Sequence, residues 1–154
     1  MLNILRIQKG LSNYGIPRSS KGLAALCAKL ADDKFATDIL IVDLSSIEYA
    51  PSDFFVICSC DSEVQVDAVA SFIDRTFKSM QLIAPRIEGL DSKEWVLLDF
   101  FDVVVHVFLR DIRNYYKLEK LWGDGQFYEL NSARELKKVT KKDLLNVLKD
   151  KVLN

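Results

Sequence analysis

Two strand-like segments of the chain are separated by only two residues. The first covers residues 94–99, the second covers residues 102–109, and both are largely apolar. A parallel return between neighbouring strands needs a crossover of about a dozen residues or more, whereas an antiparallel pair needs only a tight turn. The chain therefore contains an antiparallel hairpin, with Phe100 and Phe101 at its turn.

The segments before the hairpin predict alternating helices and buried strands. Residues 37–44 and 53–58 are short, nearly continuous apolar runs, typical of strands that are covered on both faces. A helical pattern precedes the first run at residues 20–34, and a second follows residue 60, where Asp61 or Ser62 can cap a helix. The apolar stripe of the second helix comprises Val66, Val69, Ile73, Phe77 and Met80.

A third helix is predicted after the hairpin, and Gly123 and Gly125 are placed to end it. Its stripe comprises Ile112, Tyr115, Leu118 and Trp122. Further on, residues 140–143 match a capping box, and apolar residues at helical spacing continue from Leu144 or Leu145 to Val152. The expected fold is a single α/β domain, a mixed sheet of four to five strands flanked by helices, with a helical C-terminal extension.

The predicted domain covers residues 20–122, between an N-terminal extension at residues 1–19 and a basic helical C-terminal extension at residues 123–154. A length of 154 residues suits one domain. Residues 134–154 carry a net charge of +4 and the remainder carries −5. An acidic body suits a basic protein partner better than bare RNA. No apolar run approaches the roughly 20 residues that span a bilayer, so no membrane association is predicted.

The three cysteines and the N-terminal residues help to predict the cellular compartment of the protein. The Cys58–Cys60 pair lacks the spacing and the second ligand pair of a zinc site, so reduced, partly buried thiols in a reducing compartment are predicted, together with Cys27. The expected location is the bacterial cytoplasm. Because no acidic residue precedes Asp32, an organellar transit peptide is the alternative.

The residues give little support to catalysis. Carboxylates at predicted strand ends could converge on a metal, but such positions are also where strands meet water; they are Asp38, Asp43, Asp53, Asp99 and Asp102. His106 is the single histidine, which excludes a site with two histidines, and it shares a strand face with Val104 and Phe108 as a half-buried, satisfied side chain would. No phosphate loop or nucleophile elbow is present. We therefore predict no enzyme activity, no cofactor and no metal.

Aromatic side chains gather around the hairpin and the helix after it. They are Trp95, Tyr115, Tyr116 and Trp122. Tryptophan and tyrosine are enriched at binding hot spots because each buries a large area with few rotatable bonds. Trp122 is expected in the core, whereas Trp95 is equally consistent with core and with surface. The hairpin region is thus a candidate binding surface.

An ordered set of sequence patterns over residues 20–122 resembles the ribosomal silencing factor family, also called Iojap-like. The patterns are Asp38–Asp43, Ser52–Cys58, Glu88-Gly89, Trp95 with Asp99, the Val103–Val107 strand that contains His106, and Tyr116–Trp122. The resemblance implies a non-catalytic adaptor that binds large-subunit ribosomal protein fourteen and blocks joining of the small subunit. Translation would be repressed, or an immature large subunit guarded.

The resemblance also implies site residues and further partners. The expected partner-binding residues are Trp95, Leu97, Asp99, Asp102, His106 and Tyr116. A homodimer is expected when the chain is free, and contact of the basic tail with ribosomal RNA is a hypothesis. This chain departs from the family where Phe101 and Cys60 replace the usual glycines, which puts the local loop geometry in doubt.

Two alternatives accompany this interpretation. By fold the family also resembles magnesium-dependent nucleotidyltransferases. Asp61-Ser62-Glu63 matches the residue types of their acidic pair. It lacks the Gly-Ser that precedes that pair, and helix capping explains it. The second alternative is a self-associating scaffold, suggested by the apolar strand edge and the aromatic helix.

Overall fold

A computed structural model describes residues 14–140 and 142–144 of the chain. In chain order, the helices and strands are α1 (Ser20–Asp33), β1 (Thr37–Asp43), β2 (Phe54–Cys60), α2 (Glu63–Ser79), β3 (Arg86–Glu88), β4 (Trp95–Asp99), β5 (Val103–Leu109), α3 (Arg110–Tyr116), α4 (Leu118–Leu121), β6 (Gln126–Leu130) and β7 (Leu136–Val139). No helix in these two ranges is long and apolar enough to cross a membrane.

The strands form one mixed sheet in the order β3-β4-β5-β2-β1-β6-β7. Only β2 and β5 pair in parallel, and the other neighbours are antiparallel. Every residue of β2 is buried, as expected of a central strand with both faces covered. The predicted α/β class, the mixed sheet and the antiparallel hairpin of β4 and β5 are confirmed.

Helices α1 and α2 cover one face of the sheet and form the larger core with it. All five residues of the predicted α2 stripe are buried, from Val66 to Met80. The Ser62 hydroxyl accepts a hydrogen bond from the Gln65 amide at 3.1 Å, so Ser62, one of the two predicted caps, begins this helix.

The opposite face is covered only in part. A second core lies there between the sheet and α4, with Ile112 of α3 and Ile47 of the β1–β2 loop packed against it. The cover lies over the middle of the sheet, where Phe55 and Ile57 are buried. Strand β4, next to the edge strand β3, keeps Trp95 and Leu97 half-buried on this face. Three of the six predicted binding residues, Trp95, Leu97 and Asp99, lie on this strand.

The sheet has more strands than the four to five predicted, and the domain does not end at Trp122. Strand β6 pairs with β1, and β7 pairs with β6, so residues 126–139 extend the sheet. Their apolar pattern is weak because the exposed Lys137 and Lys138 are adjacent in β7 and interrupt the alternation, and only Val139 is fully buried there. Gly125, just before β6, allows the chain to come close to β1, since a Cβ at this position would lie 2.6 Å from Val42 Cγ1.

The prediction of one continuous third helix is wrong, because the structure has two short helices there. Lys117 has a φ of +51°, which ends α3 and starts the separate short helix α4. The break rotates the stripe, so Tyr115 is 78% exposed whereas Leu118 is buried. A lysine carries no signal for a left-handed conformation, which glycine or asparagine would have given.

The two termini are described only in part. Tyr14, within the predicted N-terminal extension, donates a hydrogen bond to Asp33 at 2.6 Å and packs against the larger core. The Thr140 hydroxyl accepts from the Asp143 amide at 3.1 Å, as the capping box predicts, and Leu144 is buried. The rest of the predicted C-terminal helix, and residues 1–13, lie outside the described ranges.

Candidate binding surface

Strand β4 presents Trp95, Leu97 and Asp99 to the open face because side chains alternate along a strand. Their partners across the β5 ladder are Phe108, His106 and Val104. Tyr116, at the end of α3, reaches the same place, with its ring centroid 5.0 Å from that of Trp95. We call the set of Trp95, Leu97, Asp99 and Tyr116 the hairpin surface.

Trp95 is held in a fixed orientation. Its ring stacks on Phe108 with centroids 4.7 Å apart and planes 28° apart. Its indole Nε1 donates a hydrogen bond to His106 Nδ1 at 3.1 Å. The polar atom of the indole is therefore satisfied inside the protein, while the ring itself stays half-buried. A fixed, half-buried aromatic ring can bind a partner with little loss of conformational entropy, as binding hot spots do.

His106 is 5% exposed and supports Trp95 from below. Burial lowers the pKa of His106 to about 3, so the imidazole is neutral at physiological pH. Because Nδ1 accepts from the indole, Nε2 carries the proton, and no hydrogen-bond partner for Nε2 lies in the described part of the chain. The imidazole ring lies 4.5 Å from the Phe55 ring, with the two planes 67° apart.

The expectation of a half-buried, satisfied histidine is therefore wrong in two respects: the side chain is fully buried, and only one nitrogen is satisfied. The reason is the aromatic packing of Trp95, Phe108 and Phe55 around the ring. The predicted partner contact of His106 stays a prediction. Its geometry makes it a residue that positions Trp95.

Tyr116 depends on a buried ion pair that the sequence analysis missed. Arg113 and Glu119 are 4% and 3% exposed and pair with each other. Arg113 also donates to Ser59 Oγ at 2.9 Å and to the Asp38 carbonyl oxygen at 2.6 Å, so it ties α3 to the sheet. On a continuous helix, residues six apart are separated by about 120° around the axis and about 9 Å along it. The break at Lys117 lets Arg113 and Glu119 meet.

The hairpin surface is bordered by negative charge. Residues 86–102 contain five carboxylates, all on exposed residues, against the two cations Arg86 and Lys93, and Arg86 lies opposite Asp99 across the β3–β4 ladder. The carboxylates belong to Glu88, Asp91, Glu94, Asp99 and Asp102. An apolar centre bordered by carboxylates suits a partner with an apolar patch among basic residues.

The two predicted acids at the hairpin turn have different local roles. The Asp99 carboxylate accepts a hydrogen bond from the Phe101 amide at 2.8 Å and so shapes the turn. The Asp102 side chain is exposed, and its carbonyl oxygen accepts from the amides of Asp53 and Phe54, each at 3.0 Å. The structure thus brings together Trp95, Leu97, Asp99 and Tyr116, with Asp102 at the tip.

The carboxylates of Asp38, Asp43 and Asp61 are engaged by an arginine or by a turn. Arg110 pairs with Asp38 at 3.1 Å and with Asp61 at 2.9 Å. The Asp43 carboxylate accepts from the Ser45 amide at 2.9 Å. Within residues 14–140 and 142–144, no group of three or more His, Cys, Asp or Glu side chains could hold a metal ion. All three cysteines are free and buried, and burial raises the pKa of the Cys27 thiol.

Aromatic residues on the middle of this face form a second group. The Trp122 ring stacks on Tyr49 with centroids 5.8 Å apart and meets the edge of Phe55 at 5.7 Å. Trp122 packs against the smaller core, as predicted. Trp95 combines both expected roles, because its ring packs on Phe108 and the residue stays only half-buried.

Comparison with known proteins gives a consistent result. Residues 17–149 match the family model described as "Ribosomal silencing factor during starvation", a match that extends through β6 and β7. The ribosomal silencing factor of Bacillus subtilis is 42% identical over 113 residues, which are 73% of this chain and 95% of that protein. The chloroplastic protein Iojap of Zea mays is 36% identical over 107 residues, 70% of this chain and 46% of that protein.

The fold is also similar to a solved structure. A crystal structure of a Chromobacterium violaceum protein superposes with a TM-score of 0.64 at 33% sequence identity, covering 68% of this chain and 87% of that one.

Proposed function

Because the chain belongs to the ribosomal silencing factor family, we propose that it binds the large ribosomal subunit through large-subunit ribosomal protein fourteen and blocks joining of the small subunit. The outcome is repression of translation or protection of an immature large subunit. The single observation that supports a specific site is the fixed, half-buried Trp95 in a segment that carries five exposed carboxylates.

The mechanism is competition for a surface. The chain lowers the concentration of large subunits that can join, so its effect depends on affinity and on concentration relative to Kd. No reaction step is needed. Trp95, Leu97 and Tyr116 supply the apolar contact, and the surrounding carboxylates steer a basic partner and fix its orientation. His106 acts from beneath by holding the indole.

The contact is tested by titrating the full chain with purified large-subunit protein fourteen and comparing Trp95→Ala with wild type. Loss of a central aromatic anchor costs about 2 kcal/mol or more, which is roughly a 30-fold rise in Kd. Trp122→Ala is the matched control, since it removes the other half-buried indole from the middle of the face. Circular dichroism and thermal unfolding show that each variant is folded.

The outcomes separate the site from the function. If Trp95→Ala binds as wild type does, the hairpin surface is not the contact. If wild type itself does not bind the purified protein or the large subunit, the proposed function is wrong.

Two further partner proposals accompany this function. The basic residues from Arg134 onward contact ribosomal RNA beside the protein partner, and exchanging Lys137 and Lys138 for serine should reduce the salt dependence of binding to the large subunit. The free chain forms a homodimer, which sedimentation equilibrium would detect. We place the protein in the bacterial cytoplasm; a chloroplastic relative makes the organelle the alternative.

A further inference from the structure

Phe101 occupies a conformation that suits glycine. Its φ is +77°, and the Asp102 amide donates to the Phe100 carbonyl oxygen at 3.1 Å across it. A bond from residue i+2 to residue i around a positive φ is the rare, strained form of γ-turn. The Phe101 side chain is 85% exposed, so burial within the chain does not compensate for this conformation.

The turn that carries Phe101 is held from several sides. The Asp99 carboxylate accepts from the Phe101 amide at 2.8 Å, and the Phe100 amide donates to the Val103 carbonyl oxygen at 2.8 Å. The Phe100 ring packs on Phe77 with centroids 4.5 Å apart. The aromatic ring at the tip is therefore presented on a fixed backbone, and a partner need not order a loop to bind it.

We propose that Phe101 is a second aromatic anchor, which extends the hairpin surface to the tip of the hairpin and adds to its affinity for the partner. The surface is continuous, because Asp99 is its last strand residue and also fixes the Phe101 backbone. Strain and exposure do not by themselves select Phe101; its position does, because the ring stands directly beside the hairpin surface, where a contact outside the chain would account for both. This inference rests on the proposed function.

Phe101 contacts an apolar patch on the same large-subunit protein that the hairpin surface binds. Exposed carboxylates at Asp99 and Asp102 stand on both sides of the ring in sequence. They disfavour the phosphates of RNA and favour a protein surface with basic residues around the apolar patch.

The chain supplies a closely matched control in Phe35. It lies on the connection between α1 and β1, is 82% exposed and has a φ of +64°. Phe35→Gly and Phe101→Gly therefore remove the same side chain at similar exposure and relieve similar backbone strain. Only Phe101 adjoins the hairpin surface.

The test measures Kd for purified large ribosomal subunits and melting temperature for both variants and for Phe101→Leu. Phe101→Gly should raise Kd by about tenfold while its melting temperature equals or exceeds that of wild type. Phe35→Gly should show the same thermal response with unchanged Kd, and Phe101→Leu should restore most of the affinity. A loss of affinity without loss of stability separates contact from folding.

The proposal is overturned if Phe101→Gly binds within twofold of wild type, or if Phe35→Gly weakens binding equally. If Trp95→Ala still weakens binding in the same assay, only the role of Phe101 has failed. If Trp95→Ala also binds as wild type does, the proposed binding surface has failed as well.

Discussion

Lowering the pH from 7 to 5 should destabilise the fold through His106. The folded protein holds the pKa of this buried imidazole at about 3, whereas its ordinary value is 6.5. Between these two values the unfolded chain binds a proton that the folded chain does not, so the free energy of unfolding falls as pH falls. The loss begins near pH 6.5 and is complete near pH 3.

The size of the effect follows from the unfolded state. A pH of 5 is about 1.5 units below the pKa of the imidazole in the unfolded chain, so protonation lowers the free energy of unfolding by roughly 2 kcal/mol. No other histidine contributes, because His106 is the only one in the chain. Protonation would also convert Nδ1 from an acceptor to a donor and so break its hydrogen bond with the Trp95 indole.

Urea unfolding at pH 7 and pH 5, followed by far-ultraviolet circular dichroism, measures the loss. His106→Asn is the control, because its side-chain oxygen can stand where Nδ1 accepts and it does not titrate. Carboxylate effects are common to both proteins and cancel in the difference. Wild type should lose about 2 kcal/mol more than His106→Asn. Equal losses in the two proteins would refute a buried, neutral His106.

Three substitutions test the supports of the hairpin surface by chemical denaturation. Gly89→Ala should lower the free energy of unfolding by about 2 kcal/mol or more. Gly89 has a φ of +94°, and a Cβ there would lie 2.2 Å from the Trp95 carbonyl oxygen. An unchanged free energy of unfolding would contradict that close approach. Lys117→Gly should stabilise the protein by about 0.5–1 kcal/mol, since the left-handed φ of +51° costs lysine more than glycine; destabilisation would argue against the helix break. Glu119→Ala should lower the free energy of unfolding by about 3–5 kcal/mol, because it leaves Arg113 buried and unpaired. Glu119→Gln should lower it less, because glutamine keeps an acceptor for Arg113. Equal losses in the two variants would show that the ion pair is not buried as described.

Local patterns predicted the hairpin because a two-residue link permits only one connection between its strands. They also placed Val104, His106 and Phe108 on one face, since alternation follows from strand geometry. The depth of His106 could not be predicted, because it depends on rings from β2 and β4 that are distant in the chain. Periodicity shows which side chains share a face, but not how far the neighbouring elements cover it.

The region after the hairpin shows a different limit. The Arg113–Glu119 pair requires a helix break at Lys117, which lysine does not signal. Strands β6 and β7 bury one face of short segments rich in lysine and glutamate, so their apolar pattern is sparse. Their place in the sheet depends on pairing with β1, which is about 85 residues earlier in the chain, and such distant contacts leave no local pattern.

Subunit joining measures the central claim most directly. Purified large and small ribosomal subunits are mixed with the chain, in excess over the large subunit and at a free concentration only a few times the wild-type Kd. Joined ribosomes are then separated from free subunits by sedimentation. The wild-type chain should move with the large subunit and reduce the joined fraction, whereas Trp95→Ala at the same concentration should leave that fraction close to the value without the chain. A wild-type chain that saturates the large subunit while joining proceeds unchanged would contradict the account.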